Sequence, residues 1–222
     1  MTEHLRKRRT AIHAAVRLCI AVDVENYRRF DNPDAEHAQE RFVQALRHAR
    51  NQANISEEDV SVDRSGDGQF LVFRPGLDES SAIPAFVTGL SIAMRRTNDS
   101  SSSHLRLRLR VAMHRGLLKP GINGWVGHAA TAVHRLLDSS PLRTALRCTP
   151  TATFALAVSD PLYRDVVAHN YPDLPSDSFQ RKIINIRRKA FTEPAWIYLD
   201  GPTTSASRFD HLTSPPGHRH LR

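Results

Sequence analysis

The stretch Leu18-Cys19-Ile20-Ala21-Val22-Asp23-Val24 is an apolar run, rich in β-branched residues, with one carboxylate near its end. Such a run is typical of a buried strand. From 34 to 53 the apolar residues recur at helical spacing. Two short strand-like runs, Val60–Val62 and Phe70–Phe73, then flank the turn Ser65-Gly66-Asp67-Gly68. The first part of the chain is therefore predicted to fold as strand, helix and hairpin.

The remainder of the chain continues this alternation of helices and strands. The complete predicted order is β-α-β-β-α-β, followed by an extra helix, a strand, a short helix and a closing hairpin. This is the ferredoxin-like split βαβ plan with additions, an α+β fold. The plan serves many functions and does not by itself indicate one. The predicted elements are a helix at 84–96, a strand at 105–113, a turn-rich loop at 116–124, a helix at 127–137, a strand at 154–158, a helix at 160–169, and strands at 182–186 and 195–199.

Length and composition indicate one globular domain with charged ends. The chain has 222 residues, of which 40% are hydrophobic and 24% charged, which excludes a fibrous, collagen-like or wholly disordered protein. Residues 1–17 and 201–222 carry +4 and +2 of the formal net charge of +8, so 18–200 carry only +2. We predict a disordered basic tail at 1–16, one domain at 17–200 and a disordered Ser/Pro/His-rich tail at 201–222.

The charge, the cysteine count and the hydropathy of the sequence limit the kinds of binding partner and the location that we expect. A domain at +2 lacks the basic footprint of a dedicated nucleic-acid binder, so we do not expect nucleic acid as a partner. Two cysteines, Cys19 and Cys148, are too few for a disulfide framework or a thiolate metal site. The sequence has neither an apolar run of about 18 residues nor an apolar signal core, so we expect no membrane association and a cytoplasmic location.

Two aspartates, Asp23 and Asp67, are candidate ligands of a divalent cation. In a β-α-β-β sheet the first and third strands are neighbours, so the hairpin tip can reach the end of the first strand. Two carboxylates about 4 Å apart repel by about 4 kcal/mol at an effective dielectric constant of 20, and a divalent cation removes that penalty. The alternative remains open that Asp67 is an ordinary turn residue and Asp23 a strand-end acceptor.

Four segments, in this order, resemble the motifs of class III nucleotidyl cyclases, the adenylate and guanylate cyclase superfamily. The resemblance covers residues 17–199 and is nearest to stand-alone bacterial pyrimidine (uridylate) cyclases of anti-phage signalling. Each segment alone is a weak signal, but four in one domain are specific together. The segments are Ala21-Val22-Asp23-Val24-Glu25-Asn26-Tyr27, Ser65-Gly66-Asp67-Gly68-Gln69-Phe70, Leu109-Arg110-Val111-Ala112-Met113-His114-Arg115-Gly116, and Trp125-Val126-Gly127 with Arg135-Leu136.

The resemblance implies a cyclisation in which the ribose 3′-oxygen attacks the α-phosphate and pyrophosphate leaves. It implies two Mg²⁺ or Mn²⁺ ions held by Asp23, Asp67 and the Val24 carbonyl. Phosphates would meet the backbone amides of three residues, Glu25, Asn26 and Tyr27. Arg135 would stabilise charge at the α-phosphate, and Lys189 would bind phosphate, with Arg187 and Arg188 as competitors for that role.

The sequence also departs from the family at three positions. Thr131 stands where the family has an asparagine that orients the ribose. Asp63 and Gly124 occupy the base-reading positions, so the adenine-reading pair is absent. An acidic Asp63 would accept a hydrogen bond from guanine or from the uracil imide, and we favour UTP. The departures leave open a second interpretation, a degenerate cyclase domain that binds nucleotide, or only dimerises, without turnover.

The family also implies a homodimer. Metal aspartates of one protomer face the arginine and base-reading residues of the other, so a lone protomer is expected to be inactive. The expected product is a 3′,5′-cyclic nucleotide, a second messenger with a role in phage defence.

Overall fold

A computed structural model describes residues 13–99 and 101–201. The end segments 1–12 and 202–222, which carry most of the two predicted tails, lie outside the described residues. The first strand begins at Ala15, so Ala15 and Val16 belong to the sheet and not to the basic tail.

One mixed sheet organises the described residues. Its strand order is β2-β3-β1-β4-β6-β8-β7, with β5 paired to β4. The first four strands have the ferredoxin-like order, which confirms the predicted fold class. All neighbouring pairs are antiparallel except β4 and β6. The strands are β1 Ala15–Val24, β2 Val60–Ser65, β3 Gly68–Phe73, β4 Leu109–Gly121, β5 Gly124–Val126, β6 Phe154–Ser159, β7 Gln180–Ile186 and β8 Phe191–Leu199.

The described residues contain five α-helices, which cover the two faces of the sheet. The residues of β1 explain why, because Leu18, Ile20 and Val22 are buried in one apolar cluster while Cys19 and Ala21 are buried in another. The first cluster includes apolar residues of the two long helices α1 and α2, and the second includes those of α3 and α4. The helices are α1 Asn32–Gln52, α2 Glu79–Asp99, α3 His128–Leu137, α4 Ser140–Cys148 and α5 Asp160–Asp165.

Two predictions of local structure are wrong. The segment 116–124, predicted as a turn-rich loop, continues β4 to Gly121 and returns as β5, forming a projecting hairpin that we call the arm. Helix α4, with Pro141 in its first turn, was not predicted; Ser139 caps it by accepting a hydrogen bond from the Leu142 amide.

Helix α2 begins earlier than the proline that was expected to start it. Asp78 binds the hydroxyls of Ser80 and Ser81 ahead of the first turn, and Pro84 lies inside the helix. No helix within 13–99 or 101–201 is both long enough and apolar enough to cross a bilayer.

Candidate active site

The pairing of β1 with β3 brings the two predicted metal ligands to the same end of the sheet. Asp23 is opposite Gly68, and the Val24 amide donates a 2.9 Å hydrogen bond to the Asp67 carbonyl. Gly68 allows this close approach, since a Cβ there would lie 3.0 Å from the Val22 carbonyl oxygen. The turn that carries Asp67 is thereby fixed against the last residues of β1.

Asp23 is paired with a cation from the other neighbouring strand. Arg110 of β4 is opposite Asp23 and donates from Nε to Oδ1 at 2.8 Å and from Nη2 to Oδ2 at 2.6 Å. The pKa of Asp23 is nevertheless raised to about 6, mainly by burial. The attraction of Arg110 opposes this rise, and the charges of Asp67 and Asp138 contribute to it. The Asp23 carboxylate is thus held in a position where negative charge is costly.

Several carboxylates share a cavity of about 370 Å³ at this point. Asp23, Asp63, Asp67 and Asp138 line it, together with His134, which packs against Phe70 at 5.0 Å between ring centroids. Within 13–99 and 101–201, no set of three or more His, Cys, Asp or Glu side chains forms a ready metal site. The donors that the sequence predicts, the Asp23 and Asp67 carboxylates and the Val24 carbonyl, are hard oxygen ligands that fit Mg²⁺ or Mn²⁺.

The segment that follows β1 forms a compact turn. Asn26 has a left-handed backbone (φ 52°, ψ 38°) and precedes a single 3-10 turn, Tyr27–Arg29. The Tyr27 hydroxyl accepts a hydrogen bond from Gln39 at 2.8 Å, which anchors the turn to α1. The Glu25 amide donates to the Arg108 carbonyl at 2.8 Å, so the expectation that this amide faces phosphate is wrong. The amides of Asn26 and Tyr27 stay candidates.

A second and larger cavity, about 800 Å³ in volume, adjoins this turn. We call it the arginine cavity, because five of its lining residues are arginines. Asp67 lines both cavities, so acidic and basic compartments meet at the hairpin tip. The arginines are Arg28, Arg29, Arg110, Arg143 and Arg147.

The predicted catalytic residues Thr131, Arg135 and Lys189 lie elsewhere. The Arg135 guanidinium carbon is 5.1 Å from the ring centroid of Phe191, and its Nε is buried without a hydrogen-bond partner. Lys189 belongs to the 3-10 turn that leads into Phe191. Thr131 is exposed one helical turn before Arg135 on α3. These residues therefore form a group around α3 and the β7–β8 hairpin.

The Phe191 ring that Arg135 contacts belongs to a different part of the sheet from Asp23. Phe191 is in β8, three strands away from β1 in the sheet order, which corresponds to about 14 Å at the usual strand spacing. Asp63 and Gly124 do come together, since a Cβ built on Gly124 would lie 3.5 Å from Asp63 Oδ2. The fold of the arm creates this proximity.

The sequence matches no protein-family model and no curated protein, whereas the structure resembles solved cyclases. An adenylate/guanylate cyclase/hydrolase from Silicibacter pomeroyi superposes with a TM-score of 0.61 at 15% identity over 86% of this chain and 99% of that one. A guanylate cyclase domain from Catenaria anguillulae, in complex with GTP, gives 0.54 at 12% identity over 84% and 96%. The chain has the cyclase fold.

A third solved cyclase structure has the same fold. A dimeric guanylyl cyclase domain from Blastocladiella emersonii superposes with a TM-score of 0.51 at 13% identity over 82% of this chain and 95% of that one. At such low identities these structures are evidence of the fold only. The residues of this chain must support any function themselves.

Sequence reasoning missed four residues of the site in this cyclase fold. Arg110 lies in one of the four segments that resemble cyclase motifs, but nothing in the sequence indicated that it pairs with Asp23. Asp138, Arg143 and Arg147 belong to the α3–α4 region, where no second helix was predicted. The four-residue spacing of Arg143 and Arg147 was the available signal, since it places both on one helix face.

Proposed function

We propose that the protein is a nucleotidyl cyclase that converts a nucleoside triphosphate into a 3′,5′-cyclic nucleotide and pyrophosphate. The observation that carries the proposal is the meeting of Asp23 and Asp67 at the end of β1, between an acidic cavity and the arginine cavity. Paired carboxylates suit metal ions, and clustered guanidinium groups suit a polyphosphate. The two compartments therefore fit the two ends of the reacting triphosphate.

Asp23, Asp67 and the Val24 carbonyl are the groups that would hold two Mg²⁺ or Mn²⁺ ions. Bound ions of this kind activate an attacking oxygen and neutralise phosphate charge. The chain itself holds the carboxylates in place through the Val24–Asp67 backbone bond and the Arg110 ion pair. The amides of Asn26 and Tyr27 orient the phosphates.

We propose that the active unit is a homodimer. None of Thr131, Arg135 and Lys189 lines either cavity of its own protomer, and a second copy can supply them. The arm and the start of β1 expose apolar side chains that a partner can cover: Val16, Leu117, Ile122 and Val126. In the dimer, Arg135 stabilises the charge on the α-phosphate, Thr131 orients the ribose by one hydrogen bond, and Lys189 binds phosphate.

We favour UTP as substrate, with cyclic UMP as product. Asp63 accepts a hydrogen bond from a base N–H, and Gly124 beside it leaves space where a side chain would otherwise stand. The uracil imide offers such a donor. A second-messenger role in anti-phage defence, in the cytoplasm, completes the proposal.

One observation favours a different function, a nucleotide-binding or dimerising domain without turnover. Thr131 is shorter than the asparagine of the family, and losing a transition-state contact costs about 10²–10³ in rate. Such a domain would bind nucleotide and act as a sensor or scaffold.

The deciding experiment incubates the full chain with each of the four nucleoside triphosphates and Mn²⁺ or Mg²⁺ and identifies products by mass spectrometry. We expect a cyclic nucleotide, with UTP preferred, and none from Asp67→Asn. Nucleotide binding with no cyclic product from any of the four would favour the scaffold.

A further inference from the structure

The arginine cavity holds more positive charge than the cyclase motifs account for. Five guanidinium groups line it against two carboxylates, those of Glu25 and Asp67. Only Arg110 comes from a segment that resembles a cyclase motif. The other cations require their own explanation, because like charges gathered in one cavity repel unless an anion is present.

Three of these arginines already have a partner in the protein. Arg110 is bound through both nitrogens to Asp23, and Arg29 donates to the Arg106 carbonyl. Arg147, in contrast, has no ion-pair partner among the described residues. Arg143 donates to the half-exposed Asp138 at 2.6 Å and keeps its remaining donors. Arg28 likewise has no ion-pair partner among the described residues, so the cations available to a ligand are Arg28 together with Arg143 and Arg147 on α4.

Helix α4 holds Arg143 and Arg147 rigidly. They are four residues apart and so project from one side of the helix. The adjoining face of the helix is fixed in the core by Leu142 and Leu146, which are both fully buried. A guanidinium on a packed helix loses less freedom on binding an anion than one on a loop.

We propose that Arg143 and Arg147 bind the β- and γ-phosphates of the nucleotide, and afterwards the pyrophosphate product, in the same protomer that supplies Asp23 and Asp67. The identity of the ligand as a nucleoside triphosphate rests on the proposed function. The polyphosphate site itself requires neither turnover nor a dimer. Forked guanidinium groups are suited to this role because each can make two charge-assisted hydrogen bonds to phosphate oxygens.

Because of the Asp138–Arg143 ion pair, the proposal also predicts a variant that binds polyphosphate more tightly than the wild type. The half-exposed Asp138 carboxylate neutralises part of the positive charge that Arg143 offers to phosphate. Asp138→Asn should therefore tighten polyphosphate binding, whereas Arg143→Ala and Arg147→Ala should weaken it. A purely structural role for these residues would not produce this pattern.

The test is calorimetric titration of the full chain with inorganic tripolyphosphate in the absence of divalent cations. We expect the double variant Arg143→Ala/Arg147→Ala to bind about tenfold more weakly or worse, from the loss of two charge contacts. Arg147→Lys should retain most of the affinity. The matched control is Arg47→Ala, an exposed arginine on α1, and it should bind as the wild type does.

Two results would overturn the proposal. One is wild-type affinity of the double variant for tripolyphosphate. The other is an equal loss of affinity for a nucleoside monophosphate, which has no β- or γ-phosphate, because that loss would indicate a general structural defect. Arginine-dependent tripolyphosphate binding by a chain that forms no cyclic product would support this site and contradict only the proposed function.

Discussion

Asp23 and Arg110 face each other across β1 and β4 and form a two-pronged ion pair, 2.8 and 2.6 Å long, at the point where the metal ions are proposed to bind. Each side chain is only 15% exposed. The pair neutralises a buried carboxylate when no ion is bound. A metal ion that binds Asp23 is therefore expected to share its carboxylate with Arg110.

The first prediction concerns the pH dependence of stability at Asp23. Its pKa is about 6 in the folded chain and 3.8 as the ordinary value, so the ionised carboxyl lowers stability above pH 6 and the penalty is gone below about pH 4. We expect the unfolding free energy of Asp23→Asn, relative to that of the wild type, to rise by about 3 kcal/mol on going from pH 4 to pH 7. Urea unfolding at a series of pH values, without divalent cations, measures this difference.

Parallel stability profiles for Asp23→Asn and the wild type would contradict that expectation. The variant should also make no cyclic product, so stability and activity are expected to change in opposite directions. Such a trade-off is common where a site holds a charge at an unfavourable position.

The second prediction concerns His114 on β4, whose effect on stability has the opposite pH dependence to that of Asp23. Burial, followed by the nearby charges of His128 and Arg115, lowers the pKa of His114 from 6.5 to about 4. The folded chain therefore resists a proton that the unfolded chain accepts, and stability is lost as the pH falls from about 6.5 to 4. His114→Phe should remove about 3 kcal/mol of this loss, as measured by the same unfolding series. An unchanged slope between pH 6.5 and 4 would show that His114 is not responsible.

A third prediction concerns the start of helix α3, which carries Thr131 and Arg135. Gly127 has φ 151°, and a Cβ on it would lie 2.3 Å from the Leu117 carbonyl oxygen. Gly127→Ala should therefore cost more than about 2 kcal/mol of unfolding free energy, because backbone strain and a clash add together. Gly76→Ala is the matched control, since Gly76 also has positive φ (90°) but no atom lies within 4 Å of the place where its Cβ would stand. Equal costs for the two variants would mean that the contact with Leu117 is unimportant.

The sequence predicted the part of the fold that buried patterns determine. The run Leu18–Val24 and the turn around Asp67 were identifiable because burial on both faces and turn chemistry leave local signals. The arm was not identifiable from the sequence, since residues such as Gly116 and Pro120 are typical of turns. Gly116 lies inside strand β4, and it is glycine because a Cβ there would come within 2.9 Å of the Ala129 Cβ, a close approach invisible in the sequence.

The residues of the candidate site also divide into those that the sequence predicted and those that it did not. The meeting of Asp23 and Asp67 follows from strand order, which the sequence pattern predicted. The Arg110 partnership depends on the register of β1 against β4, and the positions of Arg143 and Arg147 depend on how α4 packs. Both are tertiary relationships that one sequence does not encode in any local pattern.

The central claim is that each active site combines Asp23 and Asp67 of one protomer with Arg135 of the other. The most direct measurement co-expresses Asp67→Asn and Arg135→Ala chains with different affinity tags, purifies the mixed dimer and measures cyclic nucleotide formation. Each variant alone should make no product, whereas the mixed dimer should have about half the wild-type activity, because one of its two sites keeps both groups. An inactive mixed dimer, beside an active wild type, would contradict the claim.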